Sequence, residues 1–156
     1  MDKDALINGA YELFSIFEKP LKCTVHDDCP ECGEYEATLG VLRREDLSVL
    51  DIGTSGYGPL PNMTPEAIAY FLPRLIELSL NNEKDADETP VLIRLIGLLA
   101  DGLRNDRFKL LSGRQADCLL DVLLYIQSEY NDTVEYECWG DELNNAINNW
   151  KINNGA

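Results

Sequence analysis

The sequence predicts an all-α fold: a single compact domain of six or seven helices packed as an irregular helical bundle. Three observations predict it. Apolar residues recur at three- and four-residue spacing through most of the chain. Hydroxyl and proline helix-start signals stand before several of these stretches. A short strand is plausible at one place only, residues 134 to 138. With 156 residues the chain has the size of one domain, 1–156, able to bury its core without disulfide staples.

The first helix is expected over residues 4–18, where Leu6, Ala10, Leu13, Phe14 and Phe17 make one apolar stripe. Glu18-Lys19-Pro20 ends it, because the residue before proline is pushed out of helical geometry. After the Cys/His loop, 23–32, a second helix starts near Cys29. Pro30 suits its first position and Glu31 the positive end of its dipole. It runs to about Leu42 with Tyr35, Leu39 and Leu42 inward. Another short helix is expected over 43–50, turning Leu47 and Leu50 to the core. Residues 53–63, with three glycines and two prolines, form a long loop. Their spacing matches neither a phosphate loop nor a dinucleotide fingerprint.

Thr64-Pro65-Glu66 starts a helix to about Leu80 with Pro73 inside it. A polar linker, 81–88, precedes Thr89-Pro90 and a helix from Val91 to Leu103. That helix is apolar nearly all round, which marks a central position, with Arg94, Asp101 and Arg104 on its narrow polar side. Ser112 and Gln115 have capping-box spacing and open a helix to about Tyr130. Cys118 on it reads as packing. Asn131-Asp132 reads as a turn, and a last helix spans 141–151 with Leu143, Ile147 and Trp150 in a stripe.

Twenty-eight acidic against thirteen basic residues leave a formal charge of −15, which excludes a phosphate-binding surface of the usual kind. Nucleic acid and anionic membrane are therefore not expected as partners, whereas a basic protein is. The sequence opens Met1-Asp2-Lys3-Asp4, without the basic and apolar regions of a secretory leader. Its longest apolar run, Val91 to Leu103, is short of a membrane span and interrupted by Arg94 and Asp101. A cytoplasmic protein, bacterial in character, with its five cysteines reduced is the expectation.

Chemistry concentrates in one stretch. Cys23, His26, Cys29 and Cys32 stand three residues apart and include the sole histidine. Thiolate and imidazole are zinc's preferred ligands, and four of them suffice for a closed structural site. A continuous helix could not gather them, since steps of three residues drift by about 60° each. A loop carrying Cys23 and His26 onto a helix start carrying Cys29 and Cys32 could, with Asp28 and Cys138 as substitutes. The same Cys29-Pro30-Glu31-Cys32 at a helix start also has the form of a redox dithiol. Against that, Asp27, Asp28 and Glu31 raise thiol pKa values, and no βαβ context surrounds it. Small half-buried cysteines at a tight turn are the third reading.

Cys29, Glu31, Cys32 and Glu34, followed by Tyr70, Phe71, Leu72 and Pro73, resemble a group of small uncharacterised bacterial proteins. That group has a Cys-x-Glu-Cys-x-Glu-His segment opening a helix and a Tyr-Phe-Leu-Pro helix downstream. The resemblance covers residues 20 to about 80. Tyr35 stands where the pattern has histidine, which removes one ligand that Cys23 could replace. The resemblance implies no activity.

The leading expectation is thus a non-catalytic binding module with a structural zinc knuckle at Cys23, His26, Cys29 and Cys32. An acidic inhibitor or immunity-type protein that neutralises a basic partner is the alternative. A small thiol oxidoreductase using Cys29 and Cys32 is the third. No catalytic constellation is legible, because a His-paired nucleophile could only lie in this loop and carboxylate pairs arise from composition alone.

Overall fold

The computed structural model describes residues 2–154, with side chains to Lys151. Seven α-helices and four single 3-10 turns make up its regular structure, and no strand occurs among the described residues. The helices are α1 (Lys3–Leu13), α2 (Pro30–Leu39), α3 (Pro65–Leu80), α4 (Val91–Leu99), α5 (Gly113–Glu129), α6 (Asn131–Tyr136) and α7 (Gly140–Asn154). The all-α expectation holds.

Five helices close a ring of contacts: α1 on α3, α3 on α4, α4 on α7, α7 on α5 and α5 back on α1. The core lies inside this ring. Phe71, Leu72, Ile76 and Leu80 of α3, Leu92, Leu95, Ile96 and Leu99 of α4, and Leu119, Val122, Leu123 and Ile126 of α5 are all excluded from water. Phe108 and Trp150 meet there edge to face, at 5.3 Å between ring centres. The indole N–H of Trp150 donates to Leu99 O at 2.7 Å, so even this buried ring leaves no polar atom wanting. By contrast α2 packs extensively on none of the other helices.

Helix starts follow their signals. Thr64 Oγ1 accepts the Ala67 amide, and Ser112 with Gln115 forms the reciprocal box. Before α4 the cap differs from expectation. Asp85 Oδ1 accepts the Asp87 and Thr89 amides, and Pro90 leads into the helix without a side-chain cap.

Several expectations are corrected. The first helix stops at Leu13 rather than 18, because distant side chains take its terminal carbonyls. Gln115 Nε2 donates to Leu13 O at 2.9 Å, and Arg44 Nη2 to Phe14 O at 2.9 Å and Phe17 O at 3.1 Å. The expected helix over 43–50 is one 3-10 turn, Arg44–Asp46, and Leu50 is 81% exposed. Ile52 takes the core position instead. Helix α4 ends at Leu99, and Gly102 at φ 68° opens a 3-10 turn, Gly102–Arg104. Asn131-Asp132 begins α6 rather than a turn, and this helix replaces the strand expected over 134–138.

Candidate site at the Cys/His loop

The two stretches with unusual composition, 23–32 and 53–63, lie side by side. Thr24 and Met63 form an isolated antiparallel bridge. Around it Val25 N–H donates to Asn62 O at 2.8 Å, Thr64 N–H to Cys23 O at 2.9 Å and Thr64 Oγ1 to Lys22 O at 3.0 Å. From the other side Glu36 of α2 receives the same segment. Its carboxylate accepts the amides of Cys23 and Thr24 and the Thr24 hydroxyl, at 2.9 to 3.0 Å. Burial works against that carboxylate, but these donors outweigh it and hold its pKa below the usual range.

The Gly/Pro loop also reaches α2 directly. Tyr57 donates its hydroxyl to Glu34, and its ring meets Tyr35 edge to face at 5.5 Å. The acceptor Glu34, then burial, push the Tyr57 phenol up to about 12. Tyr35 is buried, and burial followed by Glu31 and Glu34 raises its pKa.

The four expected ligands divide. Cys29 is half-buried at the N-cap of α2, and Cys32 is buried within the first turn. Cys29 and the His26 backbone amide both lie near Cys32. Burial first, then the neighbouring Cys29, raise the Cys32 pKa against the pull of that amide. His26 lies exposed on the preceding turn, where Lys22 pairs with Asp27 and lowers the pKa of its carboxyl. Cys23 belongs to the core cluster and is shut off from water. Burial and Glu36 push its thiol up to about 11. Among the described residues no three His, Cys, Asp or Glu side chains converge on a point where an ion could sit. Cys138 lies exposed in the turn after α6, with φ 62°, and Cys118 is buried on α5.

Sequence reasoning passed over Arg94 as part of a polar stripe. Its side chain is only 6% exposed and donates to Gly53 O at 2.6 Å and Ile52 O at 2.8 Å. It also lies 3.6 Å from Asp85 Oδ2, which is buried and accepts no hydrogen bond among the described residues. One guanidinium thus ties the Gly/Pro loop and the 81–90 linker to α4. The signal was present in the sequence, since a lone arginine on a helix apolar nearly all round must find buried acceptors. No helix among the described residues is long and apolar enough to cross a membrane. Comparison of the chain with protein families, with curated proteins and with solved structures finds no match.

Proposed function

We propose that the protein is a non-catalytic binding module whose Cys/His loop is a zinc knuckle, with Cys29 and Cys32 as its two thiolate ligands. The observation that carries this reading is the pair of cysteines at the start of α2, Cys29 at its N-cap and Cys32 in its first turn, next to the turn that bears His26. Zinc would hold both sulfurs as thiolates and stiffen the connection between that turn and α2. His26 is the nearest imidazole in the chain, and Asp28 the adjacent carboxylate. Cys23 is left out, because burial and Glu36 disfavour its thiolate and its side chain fills the core.

The metal's role here is structural. Because α2 packs extensively on no other helix, a metal at its first turn would supply order that packing does not. The formal charge of −15 favours a basic protein as the bound partner, with an association that weakens as salt screens it.

Elemental analysis of protein purified without added metal tests the knuckle. About one equivalent of zinc is expected, lost in Cys29→Ser and in Cys32→Ser and kept in Cys118→Ser and Cys23→Ser. Metal-free protein whose melting temperature ignores added zinc would overturn it.

One observation favours a second reading, a dithiol that cycles through a disulfide. Cys29 is half-exposed and Cys32 buried behind it, as attacking and resolving thiols would be. The raised pKa of Cys32 and the acids Asp27, Asp28 and Glu31 around the pair oppose ready oxidation. Turnover in a thioredoxin-type insulin-reduction assay would favour this second reading.

A further inference from the structure

A cleft of about 350 Å³ opens between the Gly/Pro loop and α4. Ile93, Arg94, Gly97 and Leu98 of α4 form its floor, Ser55, Leu60 and Pro61 one wall, and Arg107 with Trp139 the other. Volume and lining fit a small-molecule site, mostly apolar with a few polar groups.

Two features separate this cleft from ordinary surface relief. The first is its charge. Acids outnumber bases by 28 to 13 in the chain, yet no carboxylate lines the cleft and two guanidinium groups do. Four other clefts on the described surface each include at least one acid: Asp117, Glu88, Glu34 and Asp101 respectively. Arg94 is already committed to Ile52 O and Gly53 O and lies 3.6 Å from Asp85, so its charge is largely balanced. Arg107 is half-buried, and its guanidinium makes no ion pair or hydrogen bond among the described residues. The cleft therefore holds one uncompensated positive charge at an apolar surface.

The second feature is Gly97. It lies in the last turn of α4, beside Trp139. A methyl group at this position would meet the Trp139 ring at 3.4 Å. That is ordinary van der Waals contact, so the indole lies against this face of the helix. The result is an aromatic wall beside a cation and an open hydroxyl, that of Ser55.

We propose that this cleft binds a small apolar monocarboxylate, with its body against Trp139, Leu98 and Leu60 and its carboxylate on Arg107. A single negative charge matches the single open guanidinium, whose planar fork suits a carboxylate. A neutral ligand would leave Arg107 uncompensated, and a dianion would meet the field of an acidic protein. The proposal goes beyond the zinc knuckle and uses none of its ligands, so either can fail without the other.

Titration with 3-phenylpropionate and with its neutral isostere 3-phenylpropionamide tests it, read by ¹H–¹⁵N correlation spectra. The acid should shift the Trp139 indole N–H and the Gly97 and Leu98 amides saturably, while the buried Trp150 indole stays still. The amide should bind at least about tenfold more weakly. Arg107→Ala should abolish the preference for the acid at an unchanged melting temperature, and Arg107→Lys should keep part of it. Equal affinity for acid and amide, shifts that avoid Trp139, or no saturable binding of the acid would each overturn the proposal.

Discussion

Glu36 and Arg94 each hold a loop by its backbone, one as an acceptor and the other as a donor. The pKa of Glu36 is lower in the folded chain than the roughly 4.3 of a free glutamate, so its contribution is full above that value. That contribution is lost as pH falls from there through the folded pKa. Glu36→Gln should therefore lower the melting temperature at neutral pH. Its deficit against the parent should shrink as pH falls below about 4.3, and a deficit independent of pH would contradict this origin. Arg94 acts in the opposite sense. Its replacement by leucine strands the Asp85 carboxylate and two carbonyls, and should cost about 3 to 5 kcal/mol in urea denaturation. Adding Asp85→Asn should recover part of this, because the amide oxygen still accepts from Asp87 and Thr89. Neither partnership could be read in the sequence. Glu36 is one acid among 28, and the carbonyls that Arg94 finds are 41 and 42 residues away.

At the scale of elements, the starts of α3 and α5 were legible, whereas the ends of α1 and α4 were not. Thr64-Pro65 and Ser112-x-x-Gln115 carry their own hydrogen-bond partners within one turn. The end of α1 is set by Arg44 and Gln115, at sequence separations of 30 and 102. Helix α6 was not read from the sequence, where Asn131-Asp132 looked like a turn and 134–138 left room for a short strand, because Val134 and Tyr136 are β-favouring and the segment is too short to show a period. Burial of Val134 and the Tyr130 hydroxyl on Leu80 O, at 2.7 Å, decide it as a helix. The reading of α4 as central was sound, with Leu95 at 1% and Leu99 at 0% exposure. Leu99→Ala should accordingly cost about 2 to 5 kcal/mol, and a change near zero would contradict the packing described. The Gly/Pro loop allows a paired test by thermal denaturation. A methyl group at Gly58 would stand 2.8 Å from Thr54 O and 2.9 Å from Arg94 Nη2, whereas one at Gly56 would meet nothing within 4 Å. Gly58→Ala should destabilise clearly and Gly56→Ala should be close to neutral.

For the molecule as a whole, a five-helix ring supplies most of the core, and α2 and the Cys/His loop add Leu39 and Cys23 to it from outside the ring. Glu36, Tyr57 and the hydrogen bonds between residues 22–25 and 62–64 hold them as well. The sequence showed four zinc-type side chains at regular spacing, but spacing alone could not say that Cys23 turns into the core while Cys29 and Cys32 stay together at the start of α2. That division follows from the segment's pairing with Met63, a contact made across forty residues. Zinc bound at the knuckle should therefore raise the protection of α2 amides from hydrogen exchange and leave those of α4 nearly unchanged. The most direct measurement of the central claim is X-ray absorption at the zinc edge of the purified protein. A knuckle built on Cys29 and Cys32 predicts two sulfur ligands at about 2.3 Å, with nitrogen or oxygen completing the shell. That spectrum should be unchanged in Cys23→Ser. A sulfur-free shell, or the same two-sulfur shell after Cys29 and Cys32 are both replaced by serine, would contradict it.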